Sequence, residues 1–408
     1  MRLGSANARM LVALAAGIAV GLAAPGRVSW LQPLGTLFVE MLKTIMLPIV
    51  VSMLVVAVAS MPPDALSRAG RRMLSWGFAA SLFASAAGIV VAAAVRPGAG
   101  LSLPAAAGTS AAERPSGLLE TLVPGNVLAA AVQGNVLGVL CVAGVFALAL
   151  NQLRRGSSSE VGRAVESVIA LARACSEALT IVLRWIMLYA PVGVFALTAL
   201  TFSQNGPRAL IPFLKVHAAM DLGMLIVAGA GLLALRLSGV AAGRFVRAIQ
   251  TPAVTAFSTG SSAATLPAEL ACARQDLGLP ARFAGFAIPI AVSLTKVGSA
   301  VFIGVMAVFA ANVAGVPLSP RETGLIVLAT FVASIATAPI TGGAVLQLAV
   351  VFQQAGLPLG AIPLVAGIPF AGKLNTAMNV AGHLALATAV GQGERRERED
   401  PMPAAWPA

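Results

Sequence analysis

A stretch rich in hydroxyl side chains and glycine, residues 251–267 (TPAVTAFSTGSSAATLP), interrupts a chain that is otherwise strongly apolar. Two prolines bracket it, and Ser261 and Ser262 lie at its centre beside Gly260. Apolar chains at membrane depth must satisfy every backbone polar group, so an irregular polar segment is tolerated there only when it is buried in protein or lines a cavity. The stretch therefore indicates a binding site. The alternative interpretation is an ordinary polar loop outside the bilayer.

A second interrupted stretch, residues 333–348 (ASIATAPITGGAVLQL), has the same character, with Pro339, Thr341 and Gly342 near its centre. The two stretches predict two helical hairpins that enter the membrane and turn back, with their tips near Gly260 and Gly342. Their corresponding positions suggest an inverted repeat around a site at the membrane midplane.

Each stretch precedes an apolar span with polar side chains in its interior. In the first span, Thr295, Lys296 and Ser299 fall on one side of a helix. In the second span, the polar positions recur about every four residues and are Lys373, Asn375, Thr376, Asn379 and His383. Between residues 284 and 393 there is one carboxylate, Glu322, in a predicted external loop. Hard metal cations prefer oxygen ligands, ideally charged ones, so this composition favours an organic anion over a metal cation.

Several roles stay open for the ionisable side chains. Lys296 and Lys373 could extend to the membrane interface, contact a substrate carboxylate, or place a tethered ammonium where a cation would bind. His383 is either a satisfied core histidine or a proton-coupling group. Asp221 lies inside an earlier span; such a residue is a functional candidate by default, or it pairs with a lysine.

The composition is that of a helical membrane protein. The 408 residues are 58% hydrophobic and 10% charged, with a mean hydropathy of +0.90, whereas soluble domains have about 25% charged residues. Long apolar runs favour helices over the short alternating segments of a barrel. The net charge of +12 follows from Lys and Arg in the predicted cytoplasmic loops, so nucleic-acid binding is not needed to explain it. The sequence has no phosphate-binding GxxxxGK[ST] motif, and its three cysteines have no metal-binding spacing.

Five stretches together resemble the glutamate/aspartate transporter family, the dicarboxylate/amino acid:cation symporters. They are FVEMLKTIMLPIVVSMLVVAVAS, MLYAPVGVFALTA, TAFSTGSSAATLP, ASIATAPITGGA and NTAMNVAGHL, and the resemblance covers nearly the whole chain. It implies an all-α integral membrane protein with eight transmembrane helices plus two re-entrant helical hairpins and inverted repeats. It also implies an elevator-type transporter, a homotrimer, and a cytoplasmic (inner) membrane location with both termini cytoplasmic.

The resemblance divides the chain into scaffold and transport parts. The expected divisions are scaffold helices 1 and 2 at 1–62, transport-domain helix 3 at 63–116, scaffold helices 4 and 5 at 117–205, transport-domain helix 6 at 206–248, hairpin 1 at 249–280, helix 7 at 281–318, hairpin 2 at 319–358, helix 8 at 359–393 and a cytoplasmic tail at 394–408.

The chain departs from the family where cations bind. The family's seventh helix carries an Asn-Met-Asp-Gly-Thr signature whose unwound backbone and Asp help to bind sodium. The residues that match it are Thr295, Lys296, Val297, Gly298 and Ser299. In the eighth helix, the matching positions are Gly372 for an ammonium-binding Asp, Asn375 for an Arg, Thr376, Asn379 and, for a sodium-binding Asp, His383. The Thr and Asn of the eighth-helix pattern are present here, but its carboxylates and Arg are absent.

These observations predict a secondary transporter of a small organic anion, either a dicarboxylate or an acidic amino acid, that does not use sodium. The predicted substrate-binding residues are Ser261, Ser262, Thr295, Lys296, Thr341, Gly342, Lys373, Thr376 and Asn379. The proton-coupling candidates are His383 and Asp221. We expect no cofactor and no bound metal; the expected partners are the anion, protons, membrane lipids and copies of the same chain.

Two other functions remain open. One is an intramembrane hydrolase that uses Ser261 or Ser262 with His383, although no carboxylate near His383 in the sequence would orient it. The other is a non-transporting or channel-like member of the family.

Overall fold

The computed structural model of the chain describes residues 4–61, 68–101, 121–156, 159–335, 343–362 and 369–399. Within these ranges every regular element is a helix. The α-helices are α1 Gly4–Ala23, α2 Gln32–Ala59, α3 Arg68–Val95, α4 Val127–Val132, α5 Val136–Gly156, α6 Ser159–Asn205, α7 Leu210–Leu237, α8 Ala242–Ala248, α9 Gln250–Thr259, α10 Ser262–Gln275, α11 Ala281–Leu294, α12 Val297–Ala314, α13 Pro320–Ile335, α14 Gly343–Ala355 and α15 Pro369–Glu399.

Long apolar helices confirm the predicted all-α integral membrane protein. Among the described residues, five helical stretches are long and apolar enough to cross a bilayer: Ser29–Ala59, Arg68–Val95, Val136–Arg154, Glu160–Leu237 and Ala281–Ala314. Helix α6 has 47 residues, which at 1.5 Å per residue is about 70 Å. It therefore extends well beyond the ~30 Å hydrocarbon layer of a bilayer.

The helices form two packed groups. In the first, α1, α2 and α5 pack against α6. In the second, α3 and α7 pack against α12, while α9, α10 and α11 surround α15. Helix α14 reaches from the second group to α2 and α5 of the first, where the Gln354 side chain accepts a hydrogen bond from the Leu137 backbone N–H at 2.7 Å. The predicted division into scaffold and transport parts remains a prediction.

Close backbone approach holds α12 within the second group. A side chain at Gly88 in α3 would collide with the Val301 backbone of α12. Small residues of this kind are what allow helices to pack closely in membranes. Nearly every residue of α12 is buried as a result, so its first turn is fixed deep inside the group.

Helices α9 and α10 form a tight helix–turn–helix at the first interrupted stretch. Gly260 ends α9 with φ of +63°, a left-handed conformation that glycine adopts at little cost. Ser261 is the N-cap of α10, and its Oγ accepts a hydrogen bond from the Ala264 N–H at 3.3 Å. The corresponding arms of the second stretch are α13 and α14. Its predicted tip, with Thr341 and Gly342, lies outside the described residues.

Candidate functional site

The site is built around a break between α11 and α12. Thr295 and Lys296 have non-helical backbone angles, with φ and ψ of −111° and 109° for Thr295, which is extended, and −131° and 63° for Lys296. The prediction that Thr295, Lys296 and Ser299 share one side of a continuous helix is therefore wrong. Neither residue at the break is a proline or a glycine, so its cause lies in the tertiary structure.

Asn379 of α15 supplies that cause by capping the first turn of α12. Its Oδ1 accepts hydrogen bonds from the N–H groups of Gly298 at 2.8 Å and Ser299 at 3.1 Å. Its Nδ2 donates to Ser299 Oγ at 3.1 Å. The first N–H groups of a helix have no partner within the helix, and here a side chain 80 or more positions away provides one. All described hydrogen bonds of the Asn379 side chain thus go to α12.

Gly298 makes this close approach possible. A Cβ atom at this position would lie 2.9 Å from Asn375 Oδ1 and 2.9 Å from Met378 Cβ. Real Cβ contacts of that length essentially do not occur. Only glycine therefore lets α12 start directly against α15.

His383 joins three segments of the site through its two ring nitrogens. Its Nδ1 lies 3.0 Å from Glu269 Oε2 of α10, and its Nε2 lies 2.7 Å from the backbone oxygen of Thr295 at the break. The side chains of His383 and Glu269 are both fully buried. The pair therefore ties the hairpin arm α10 and the helix break to α15.

Glu269 was missed as a functional residue, and the expectation that no carboxylate orients His383 is wrong. The two residues are 114 positions apart in the chain, so proximity in sequence could not reveal the contact. A helical pattern could have done so, because Ser262, Thr265 and Glu269 are spaced at i, i+3 and i+7. This spacing places Glu269 on the same face of α10 as the hydroxyl residues, and all three are buried.

The two lysines occupy different environments. Lys296 at the break is buried, with 4% of its surface exposed. Lys373 is half-buried on α15, and its Nζ lies 5.8 Å from the centre of the Phe257 ring of α9. That distance is within the range of a cation–π contact. Positive charge is thus present both at the break and beside the hairpin arm α9.

Three buried oxygens near these groups have no hydrogen-bond partner among the described residues. They are Thr295 Oγ1, Glu269 Oε1 and Asn375 Oδ1. Buried polar atoms are normally paired, so unpaired acceptors are expected where a ligand, a water molecule or a proton binds.

The remaining predicted residues lie further from this network. Ser262 is buried, while Ser261 and Thr376 are half-buried. Asp221 is exposed on α7, one helical turn from His217. The structure therefore connects His383 to Thr295 and Asn379 to the first turn of α12, and it does not bring the exposed Asp221 into the buried network.

This geometry does not support a serine hydrolase. A general base must lie within about 3 Å of the nucleophile whose proton it takes. Both nitrogens of His383 already have partners, Glu269 and the Thr295 carbonyl, and neither partner is a serine.

The residues also fit a hard metal cation poorly. Val297 offers no side-chain oxygen, and the buried carboxylate Glu269 is paired with His383. The described part of the chain has no group of three or more His, Cys, Asp or Glu side chains placed to hold a metal ion. The buried Lys296 beside the break adds a basic side chain to this lining.

Comparison with known proteins assigns the family. A profile of the sodium:dicarboxylate symporter family matches residues 7–392. The chain is 29% identical over 388 residues to the proton/glutamate-aspartate symporter of Escherichia coli (strain K12), which covers 90% of this chain and 86% of that protein. It is 30% identical over 430 residues to the neutral amino acid transporter B(0) of Homo sapiens, and this match covers 91% of this chain and 77% of that protein. It is 27% identical over 412 residues to the C4-dicarboxylate transport protein 3 of Ralstonia nicotianae, covering 96% and 90%. The chain therefore belongs to the sodium:dicarboxylate symporter family, a family of transporters and not of enzymes.

Proposed function

We propose that this protein is a secondary transporter of a small organic anion that does not use sodium as the coupling ion. The family supports transport, and the similar proteins include symporters named for glutamate and aspartate and a transport protein named for C4-dicarboxylates. The proposal includes a homotrimer with elevator-type movement in the cytoplasmic membrane, with both termini on the cytoplasmic side.

The observation that carries the proposal is the charge at the helix break. Lys296 is buried there, and the buried carboxylate Glu269 is held by His383. A desolvated ammonium attracts a carboxylate strongly and repels a metal cation. The positions at which the family has cation-binding carboxylates hold Val297 and His383 in this chain.

The substrate class is narrowed to acids, with dicarboxylates preferred over α-amino acids. Gly372 stands where amino-acid transporters of the family have an Asp for the substrate ammonium. A site without that carboxylate gives an amino group no ionic partner at this position. The anion would lie between the hairpin tips, near Ser261, Ser262 and Thr376, and would accept charge-assisted hydrogen bonds.

Uptake into proteoliposomes tests this function. The purified full-length protein should take up radiolabelled C4-dicarboxylates, glutamate or aspartate with saturable kinetics. Unlabelled substrate inside the proteoliposomes should stimulate the uptake of labelled substrate from outside. This stimulation distinguishes a carrier from a channel. Replacing sodium by choline should leave the rate within about twofold, since Val297 and His383 stand at the positions of the family's cation-binding carboxylates. Steep sodium dependence would show that other oxygens form a sodium site and would refute this part of the proposal.

A further inference from the structure

We propose that the buried Glu269–His383 pair is the binding site of a single coupling proton, and that this proton fastens the hairpin arm α10 to α15 and to the break between α11 and α12. The inference rests on the proposed transport function, but it concerns a site made of different residues from those that would hold the anion.

The hydrogen bonds fix how many protons the pair holds in the described arrangement. The Thr295 carbonyl oxygen can only accept, so His383 Nε2, at 2.7 Å, must carry a hydrogen. A second hydrogen must lie between His383 Nδ1 and Glu269 Oε2, which are 3.0 Å apart. It is either on the imidazolium, donating to the carboxylate, or on the carboxyl group, donating to the neutral ring. Both forms contain the same protons and have zero net charge, so the second hydrogen belongs to the pair as a whole.

Loss of this one proton would change the contact from attraction to repulsion. The lone pair of Nδ1 would face the carboxylate oxygen, and the pair would carry a net negative charge in a fully buried position. An unpaired charge in such surroundings is strongly unfavourable. Glu269 Oε1 has no hydrogen-bond partner among the described residues that could stabilise the ionised form. Deprotonation therefore favours separation of α10 from α15 and entry of water.

The charged groups on the helices that pack against the pair do not substitute for this proton. On α10, and on α15 as far as residue 392, the other ones are Arg274, Asp276 at the end of α10 and Lys373; on α11 and the break they are Arg282 and Lys296; on α3 they are Arg68, Arg71 and Arg72; on α7 they are Lys215, His217, Asp221 and Arg236; on α1 it is Arg9. Of these, only Lys296 is buried. A lysine beside Thr295 does not replace the hydrogen between His383 Nδ1 and Glu269 Oε2.

This proton can drive transport because it links the conformation of the hairpin to the conformation of the break. A ligand shifts a conformational equilibrium only through its different affinity for the two states. The pair binds a proton tightly only when α10, α15 and the Thr295 carbonyl are together. Proton binding on one side of the membrane and release on the other therefore accompany assembly and disassembly of the site.

The decisive variant is Glu269→Gln, in which the amide can still donate to Nδ1 but offers no exchangeable proton. With the membrane potential clamped to zero and a pH step of one unit, one proton per substrate supports an accumulation ratio of about 10. We expect a substrate accumulation ratio of about 10 for the parent and about 1 for Glu269→Gln. Counterflow exchange at equal pH should remain detectable in the variant, which shows that the lost accumulation is not a loss of folding. Glu166→Gln, an exposed glutamate on α6, is the matched control and should accumulate like the parent.

A second measurement needs no transport and separates this inference from the proposed function. Infrared difference spectra of the purified full-length protein between acidic and alkaline pH should contain a band of the pair that is absent from Glu269→Gln. The band comes from the Glu269 carboxyl group or from the His383 imidazolium, according to which of them carries the proton. If no carboxylate substrate is transported by the parent, the proposed function fails, and this band alone decides whether the pair exchanges a proton. His383→Gln removes the other residue of the pair and should also lose both the infrared band and the substrate accumulation. Either variant, provided that it folds, can therefore test the inference.

Two outcomes would overturn the inference. Full accumulation driven by the pH step in Glu269→Gln would place the coupling proton elsewhere. If the spectra contain neither a carboxyl band nor an imidazolium band of the pair at any pH at which the protein stays folded, the pair is a permanent structural contact.

Discussion

The cap that Asn379 provides for α12 leads to a sharp prediction for Asn379→Ala. The alanine side chain cannot accept hydrogen bonds from the N–H groups of Gly298 and Ser299. It also removes the Asn379 Nδ2 group that donates to Ser299 Oγ. Loss of an N-cap side chain costs about 1–2 kcal/mol. Each buried donor left without a partner costs about 1–3 kcal/mol. These terms overlap, and we expect a destabilisation of about 3 kcal/mol at the start of α12.

Asn126→Ala is the matched control, because Asn126 caps α4 with the same geometry on the surface. Its Oδ1 accepts from the N–H groups of Leu128 at 2.9 Å and Ala129 at 3.1 Å. The residue is exposed, so water replaces the lost acceptor. We expect Asn126→Ala to destabilise the start of α4 by about 1 kcal/mol or less.

Hydrogen exchange followed by mass spectrometry can read the difference locally. A loss of about 3 kcal/mol in local opening free energy corresponds to about a hundredfold faster exchange. This should appear in peptides that cover Gly298 and Ser299 in Asn379→Ala, and peptides around Leu128 should change by less than about tenfold in Asn126→Ala. Equal protection of the α12 peptides in the parent and in Asn379→Ala would mean that the break forms without this cap, which would refute the reasoning.

Two further predictions concern residues around the break. Gly298→Ala should lower the thermal unfolding midpoint, because overpacking against Asn375 costs about 1–3 kcal/mol; Gly229→Ala on α7, where a Cβ would meet nothing within 4 Å, should leave the midpoint unchanged or raise it. Lys296→Met should weaken substrate binding more than tenfold, measured by titration calorimetry, because removing a buried charge partner costs about 2–5 kcal/mol. Lys373→Met, at a half-buried position, should weaken it by less than about threefold, and parental affinity in both variants would exclude the lysines from the site.

Some features could be predicted from the sequence because they depend on local chemistry. The turn between α9 and α10 follows from Gly260 followed by a serine N-cap. The polar face of α15 follows from the four-residue spacing of Asn375, Asn379 and His383. Signals of this kind involve neighbouring residues, so one sequence is enough to detect them.

Other features could not be predicted because they depend on contacts between distant segments. The resemblance to the family implied an unwound backbone at Thr295 and Lys296, but the residues of the break alone did not, because neither disfavours a helix strongly and the first turn of α12 is held by Asn379 from another helix. The partner of His383 was missed because the count of carboxylates began after Glu269, whose helix was treated as one arm of a hairpin. The helical spacing places Glu269 on the buried face of α10, but only the structure shows that this face packs against α15 and His383.

The charge of the Glu269–His383 pair predicts the direction of coupling between a proton and an anion. With the proton bound, the pair is neutral, and without it the pair carries one negative charge in a fully buried position. A negative pair repels an anion bound nearby, so we expect loss of the proton to weaken anion binding. Two unit charges about 8 Å apart interact by about 2 kcal/mol at an effective dielectric constant of about 20. Coupling between two bound ligands is reciprocal, so the anion would raise the affinity for the proton by the same factor. We therefore expect proton and anion to bind together, which symport requires and which exchange of one for the other would not allow.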